Sequence, residues 1–200
     1  MEKVVAFRGT KPGSIHNYFT DLQVRRVVFD GDMRVHSGFF RGYKSVWEHP
    51  SSSLLATGKP TLITGHSLGG GEAVIYAASL PLTLQDVPIY TFGQPRVGNR
   101  AFAEFVARRH PNWWRIIDRA DIVARVAWLF GLYAHRGNVA FIDEAGRVDI
   151  NPPQWHELYG VIKAIRHEWR MRRGIALAHD HEMSLYLRAM RRVLGRERSQ

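Results

Sequence analysis

The chain has no cysteine in its 200 residues. That excludes a disulfide-held scaffold, a thiolate zinc site and a cysteine nucleophile. It also lacks a long apolar run: the longest, Val126 to Ala134, is nine residues with a glycine inside. A membrane-spanning helix needs about 20. No basic segment precedes an apolar stretch at Met1-Glu2-Lys3-Val4-Val5, which runs straight into strand-like sequence. No secretory signal is therefore expected, and the default compartment is the cytoplasm, with non-classical export as the alternative. Acid is in short supply. Asp and Glu number 18 against 28 Lys and Arg, a net charge of +10. Residues 161–200 hold ten Lys/Arg and four Asp/Glu, so the basic excess is concentrated there. Such an end favours phosphates, on nucleic acid or on an anionic membrane surface, when it is more than a solvated helix face.

What is present is ordinary for a globular protein: 45% apolar and 23% charged residues. A disordered tail, a collagen-like chain and a coiled coil are excluded. The length suits one domain over residues 1–200, able to bury roughly 70% of its unfolded surface. No internal repeat, low-complexity tract or long linker interrupts it.

Short β-rich runs alternate with amphipathic stretches. Strands are expected at Lys3–Arg8, Gln23–Asp30, Thr61–Thr64, Ile89–Phe92 and Trp114–Asp118. A hairpin is expected from Val139–Ile142 and Val148–Ile150. Helical spacing marks 38–49, the small-residue face from Ala73 to Ala78, a helix ending near Arg109, one through Trp155–Ile165 and one through Leu185–Leu194. Alternating strands and helices argue for an α/β sheet covered on both faces.

Gly65-His66-Ser67-Leu68-Gly69 matches G-x-S-x-G, between an apolar strand and a helix. A turn that tight strains the serine backbone, lifts its Oγ off the sheet and sets it at a helix N-terminus, where free N–H groups favour a developing anion. A serine hydroxyl needs a general base, and the base an orienting carboxylate. The expected order is Ser, acid, His. Asp118, Asp121 and Asp143 follow Ser67 near strand ends; Asp121, in the loop past its strand, is favoured, and Asp118 is read as a surface or turn-capping residue. Five histidines follow Asp121. His156 and His167 fall within a helix, leaving His179 and His181 as the candidate bases, between which side-chain chemistry alone does not choose. A metal at His179-Asp180-His181 is disfavoured, since no further ligand cluster lies nearby in the sequence. The oxyanion requires two donors: the Leu68 N–H, and one from the loop after an early strand, where Thr10 follows Phe7-Arg8-Gly9.

These segments resemble the class 3 (fungal-type) lipases of the α/β-hydrolase superfamily. Val5-Ala6-Phe7-Arg8-Gly9-Thr10 resembles the oxyanion-loop strand, and Thr64-Gly65-His66-Ser67-Leu68-Gly69-Gly70 the nucleophile elbow. Thr91-Phe92-Gly93-Gln94-Pro95-Arg96-Val97-Gly98-Asn99, the most diagnostic stretch, is similar to T-F-G-x-P-R-V-G-N. Asn17–Leu22, Val35–Phe39, Asp118–Val123, Tyr133–Gly137 and Asp180–Tyr186 resemble further family segments in the right order. The resemblance implies an α/β-hydrolase fold with a mostly parallel sheet, trimmed at the N-terminus. It implies Ser67 as nucleophile, Asp121 as acid, His181 in preference to His179 as base, and Thr10 with Leu68 as oxyanion donors. His36, His66 and His135 are read as structural. No metal or organic cofactor is implied.

Lys11–His16 is too short for the family's lid helix, which implies an open site. The aromatic stretch Trp128–Tyr133 is read as core, or else as an acyl pocket or membrane-touching rim. The implied activity is serine ester hydrolysis of acylglycerols or other lipids, with phospholipase A1-type and feruloyl-type carboxylesterases as alternatives. The implied partners are a lipid ester and, peripherally, an anionic membrane surface. The rival reading is an inactive hydrolase whose basic face binds membrane or nucleic acid. No stacking-aromatic or helix-turn-helix pattern accompanies the charge, so no specific nucleic acid is expected.

Overall fold

The computed structural model of the chain describes residues 3–9, 25–49, 60–118, 121, 132–143, 145–153 and 183–197. In chain order these form β1 (Val4–Phe7), β2 (Arg26–Asp30), β3 (Met33–His36), α1 (Ser37–Trp47), β4 (Leu62–His66), α2 (Leu68–Ser79), β5 (Ile89–Phe92), α3 (Arg100–Arg109), β6 (Trp113–Asp118), β7 (Asn138–Ile142), β8 (Val148–Ile150) and α4 (Met183–Glu197). The expected helix through Trp155–Ile165 and the short Lys11–His16 segment lie outside the described residues.

Six strands make the main sheet in the order β1-β4-β5-β6-β7-β8. The first five are parallel and β8 returns antiparallel, in the expected hairpin with β7. Each strand's two-residue alternation divides its side chains between the faces. Val5, Phe7, Ile63, Ile89 and Trp113 join one core with α1, α2 and α3. On the opposite face Phe92, Trp114, Ile116, Ala140 and Ile142 pack with Tyr186 and Ala189 of α4. Among the described residues, no helix is long and apolar enough to cross a membrane.

Helix α2 is the centre of the first core. Gly69 through Ala78 are all buried, and the small residues let strand and helix backbones approach closely. Its C-terminal end is held from α3. Arg109 donates to the carbonyls of Ala78 and Leu80, and the buried His110 ring sets Nε2 3.1 Å from Ala77 O and Nδ1 3.2 Å from Val87 O. The Ala78 and Leu80 carbonyls that Arg109 serves lie at the helix end, where carbonyls lack intrahelical partners.

The run expected as a strand at Gln23–Asp30 contributes β2, but not to the main sheet. It pairs with β3 across a turn at Gly31, which takes φ +48°, in a separate two-stranded sheet. Strand β3 escapes the sequence pattern because its four residues include Arg34 and His36. Asn99 ties this hairpin to α3: its Oδ1 accepts from Phe102 N at 3.1 Å, capping the helix, and from Arg34 N at 3.0 Å, while its Nδ2 donates to Asp32 O at 2.8 Å. His36 has the structural part expected of it, accepting from Gly38 N through Nδ1 at 3.0 Å as the N-cap of α1.

Candidate active site

Strand β4 ends at His66 and α2 begins at Leu68, leaving one residue for the turn. That residue is Ser67, at φ +57° and ψ −125°. Positive φ is costly for any side chain, by about 1–3 kcal/mol, and persists only where the surroundings impose it. Here Ser67 N donates to Phe92 O on β5 at 3.0 Å, and Gly71 N donates to Ser67 O at 3.2 Å as α2 starts. The serine is held from sheet and helix at once. Leu68 stands first in the helix, where an N–H has no intrahelical acceptor.

The exit of β1 passes directly over this turn. A Cβ on Gly9 would stand 2.5 Å from His66 O and 3.5 Å from Ser67 Cβ, and a Cβ on Gly69 would collide with Phe7 O. Only glycine fits at either place. The segment that leads to Thr10 is thereby brought beside Ser67; Thr10 itself lies outside the described residues.

Strand β6 delivers the acids to the same end of the sheet. The parallel register aligns His66 with Phe92 and Phe92 with Ile116, so Ser67 and Asp118 both lie at the carboxyl ends of their strands. With neighbouring strands about 4.8 Å apart, β4 and β6 stand roughly 10 Å apart. Asp121 N donates to Asp118 O at 3.1 Å, and both aspartates are fully buried. For Asp118 this corrects the expectation of a surface or turn-capping position: β6 is an interior strand with packed neighbours on both sides, so its last residue is enclosed.

The partner of Asp121 comes from α4. Tyr186 is fully buried and donates its hydroxyl to Asp121 Oδ2 at 2.5 Å, while the Tyr186 hydroxyl oxygen accepts from Asp118 N at 3.1 Å. Its ring stands edge-on to His66 and Phe92, with centroids 5.7 Å and 6.0 Å away. Burial first, and then the Asp121 charge, push the phenol well above its ordinary range, so it stays a donor at any physiological pH. Sequence reasoning assigned Tyr186 no role; the signal was a tyrosine in step with Leu185 and Ala189 on the inward side of α4.

Of the expected site residues, the structure places Ser67, Leu68 and Asp121 at one end of the sheet. His181 and the competing His179 lie outside the described residues, as does the aromatic stretch before Leu132. A second missed group is Glu72, buried on α2 against the bare Gly42 of α1 and raised by burial to about 7. Its signal was an acid inside an otherwise apolar Gly70–Ala78 run.

A mostly parallel sheet carrying a strained serine between strand and helix, with a buried acid two strands away, defines an α/β-hydrolase. Residues 4–130 match the family model for Lipase (class 3), and the chain belongs to the class 3 lipases. It is 32% identical over 149 residues to the secreted mono- and diacylglycerol lipase 1 of Fusarium solani, covering 71% of this chain and 44% of that protein. It is 31% identical over 152 residues to a lipase of Rhizomucor miehei, covering 70% and 41%. The solved structure of the Rhizomucor miehei triacylglyceride lipase superposes with a TM-score of 0.63 at 29% identity, over 74% of this chain and 61% of that one. The chain spans less than half the length of these curated relatives.

Proposed function

We propose that the protein is a serine hydrolase of carboxylic esters, acting on acylglycerols or other lipid esters. Ser67 is the nucleophile, His181 the base, Asp121 the orienting acid, and the N–H groups of Leu68 and Thr10 the oxyanion donors. The observation that carries the reading is Ser67 at positive φ between β4 and α2, with the buried, tyrosine-bound Asp121 at the same end of the sheet. Three further facts support it. The gap between β4 and β6 is of the size an imidazole spans with a hydrogen bond at each end. Gly9, the residue before Thr10 in the sequence, passes close over Ser67. A solved relative's structure is titled for a serine protease triad forming the catalytic centre of a triacylglycerol lipase.

The reaction runs in two halves. Ser67 Oγ attacks the ester carbonyl carbon as His181 takes its proton, and the oxyanion forms against the two N–H donors. The tetrahedral species collapses, the C–O bond to the alcohol breaks, and His181 returns the proton to the leaving alcohol. Water, deprotonated by His181, then attacks the acyl-enzyme, releasing the acid and restoring Ser67. Every proton is accounted for within the chain and the water consumed.

The test is mass spectrometry after treatment with a fluorophosphonate, beside a panel of short-chain esters, long acylglycerols and phospholipids. A single adduct on Ser67 with turnover of a lipid ester is expected. Folded protein that forms no adduct would overturn the reading, and turnover confined to one head group would name the substrate.

A further inference from the structure

Helix α4 turns Leu185, Tyr186 and Ala189 into the core, with Met190 and Val193 partly buried beside them, and exposes the opposite side of its circumference. At 3.6 residues per turn, Met183, Leu187 and Leu194 fall along one shoulder, and Arg188 and Arg192 along the other, with Arg191 between them at the crest. All six are exposed, Leu187 by 48% and Leu194 by 52%. No described residue forms a hydrogen bond or ion pair with any of the three arginines. The arginine shoulder abuts the β7–β8 hairpin, where a Cβ on Gly146 would stand 3.5 Å from Arg192 Cβ. That hairpin adds apolar surface: Val148 and Ile150 pair with Ile142 and Ala140, share the sheet face that α4 covers, and are exposed.

On an amphipathic surface helix apolar residues gather on the core-facing side and charged residues on the opposite side. This surface sets arginines that have no partner among the described residues between two apolar margins. A helix of this kind seats its apolar side at the boundary of headgroups and acyl chains while its cations meet lipid phosphates. Nucleic acid would satisfy the arginines and leave the leucines in water. A second copy of the chain would bring like charge against like charge.

We propose that the outer face of α4, with the β7–β8 hairpin beside it, docks the protein on an anionic lipid surface. Because Tyr186 on the inner face of the same helix holds Asp121, the docked element is also the one that supports the acid. The proposal rests on the lipid-ester reading for its purpose, whereas binding can be measured without it.

The experiment is cosedimentation of the full chain, carrying Ser67→Ala so that no lipid is consumed, with phosphatidylcholine vesicles with and without about 30% phosphatidylglycerol. Partitioning should require the anionic lipid and weaken steeply at about 0.5 M salt. Arg188→Gln/Arg191→Gln/Arg192→Gln should lower it roughly a hundred-fold. Leu187→Ser/Leu194→Ser should lower it about ten-fold. Arg26→Gln/Arg41→Gln/Arg108→Gln, exposed elsewhere and equal in charge, should change it little. Circular dichroism melts establish that each variant is folded; for a variant that is not, the single changes Arg191→Gln and Leu187→Ser take its place, each expected to weaken binding by a smaller factor.

Equal loss in both arginine triplets overturns the proposal in favour of diffuse charge. Binding to neutral and anionic vesicles alike overturns it, as does retention on duplex DNA that the leucine changes leave untouched, or concentration-dependent self-association without vesicle binding. The same α4 variants with Ser67 intact are assayed on a water-soluble ester. Vesicle binding without any turnover would sink the hydrolase reading alone, and turnover without binding would sink this one alone.

Discussion

At the scale of single residues, the site depends on groups whose removal should separate chemistry from stability. Ser67→Ala and His181→Ala should each lower kcat/KM on a short-chain ester by about 10⁴-fold or more, whereas His179→Ala should retain most of it. Steady-state kinetics on the three variants decides the base, and the reverse order for the two histidines would move the assignment to His179. Tyr186→Phe removes the 2.5 Å donor from a fully buried carboxylate. A buried acceptor left without its partner costs about 1–3 kcal/mol, which urea unfolding would read. If Tyr186 also aims Asp121, kcat should fall about ten-fold with KM unchanged. A loss of stability with kcat intact would reduce the tyrosine to a packing residue.

At the scale of elements, helix α2, which starts just after Ser67, is fastened at both ends. Ser67 and the glycines clamp its start on β1 and β5, and Arg109 with His110 holds its end. Asn99 does similar work for α3, with the added task of anchoring the β2–β3 turn. Asn99→Ala should therefore cost more than a cap alone, which is about 0.5–2 kcal/mol; a shift in the urea midpoint at unchanged slope would measure it. Much of this was legible in the sequence. Ile89–Phe92 and the end of α3 at Arg109 fall where apolar spacing put them, because regular elements with one buried face print their period on the chain. Ser67 was legible because the elbow demands small neighbours at fixed places. The hairpin's exile from the main sheet was not, since a strand's pattern records that a face is buried and not against what. Nor was the burial of Asp118, or the pairing of Tyr186 with Asp121, which joins residues 65 positions apart. Contacts that distant leave no local period.

At the scale of the whole molecule, stability should carry the mark of Glu72. Its folded-state value of about 7 stands above the ordinary 4.5, so the native state holds this proton more tightly than the unfolded chain does. The associated stability is present in full below the unfolded value and is lost as pH rises through 7, amounting to about 3 kcal/mol by pH 8. Glu72→Gln does not titrate. Its melting temperature should exceed the parent's by roughly 5–10 °C at pH 8, and the difference should shrink toward pH 5. A constant gap across that range would show that Glu72 is ionised in the fold throughout. The bond from Tyr186 to Asp121 has a different consequence, one of timing. The serine turn draws on residues 7–92, which a ribosome delivers early, but the acid's hydroxyl partner is made 65 residues after the acid itself. A nascent chain can thus present a formed elbow while Asp121 still waits for α4. Until that helix docks, Asp121 has no Tyr186 hydroxyl to accept from.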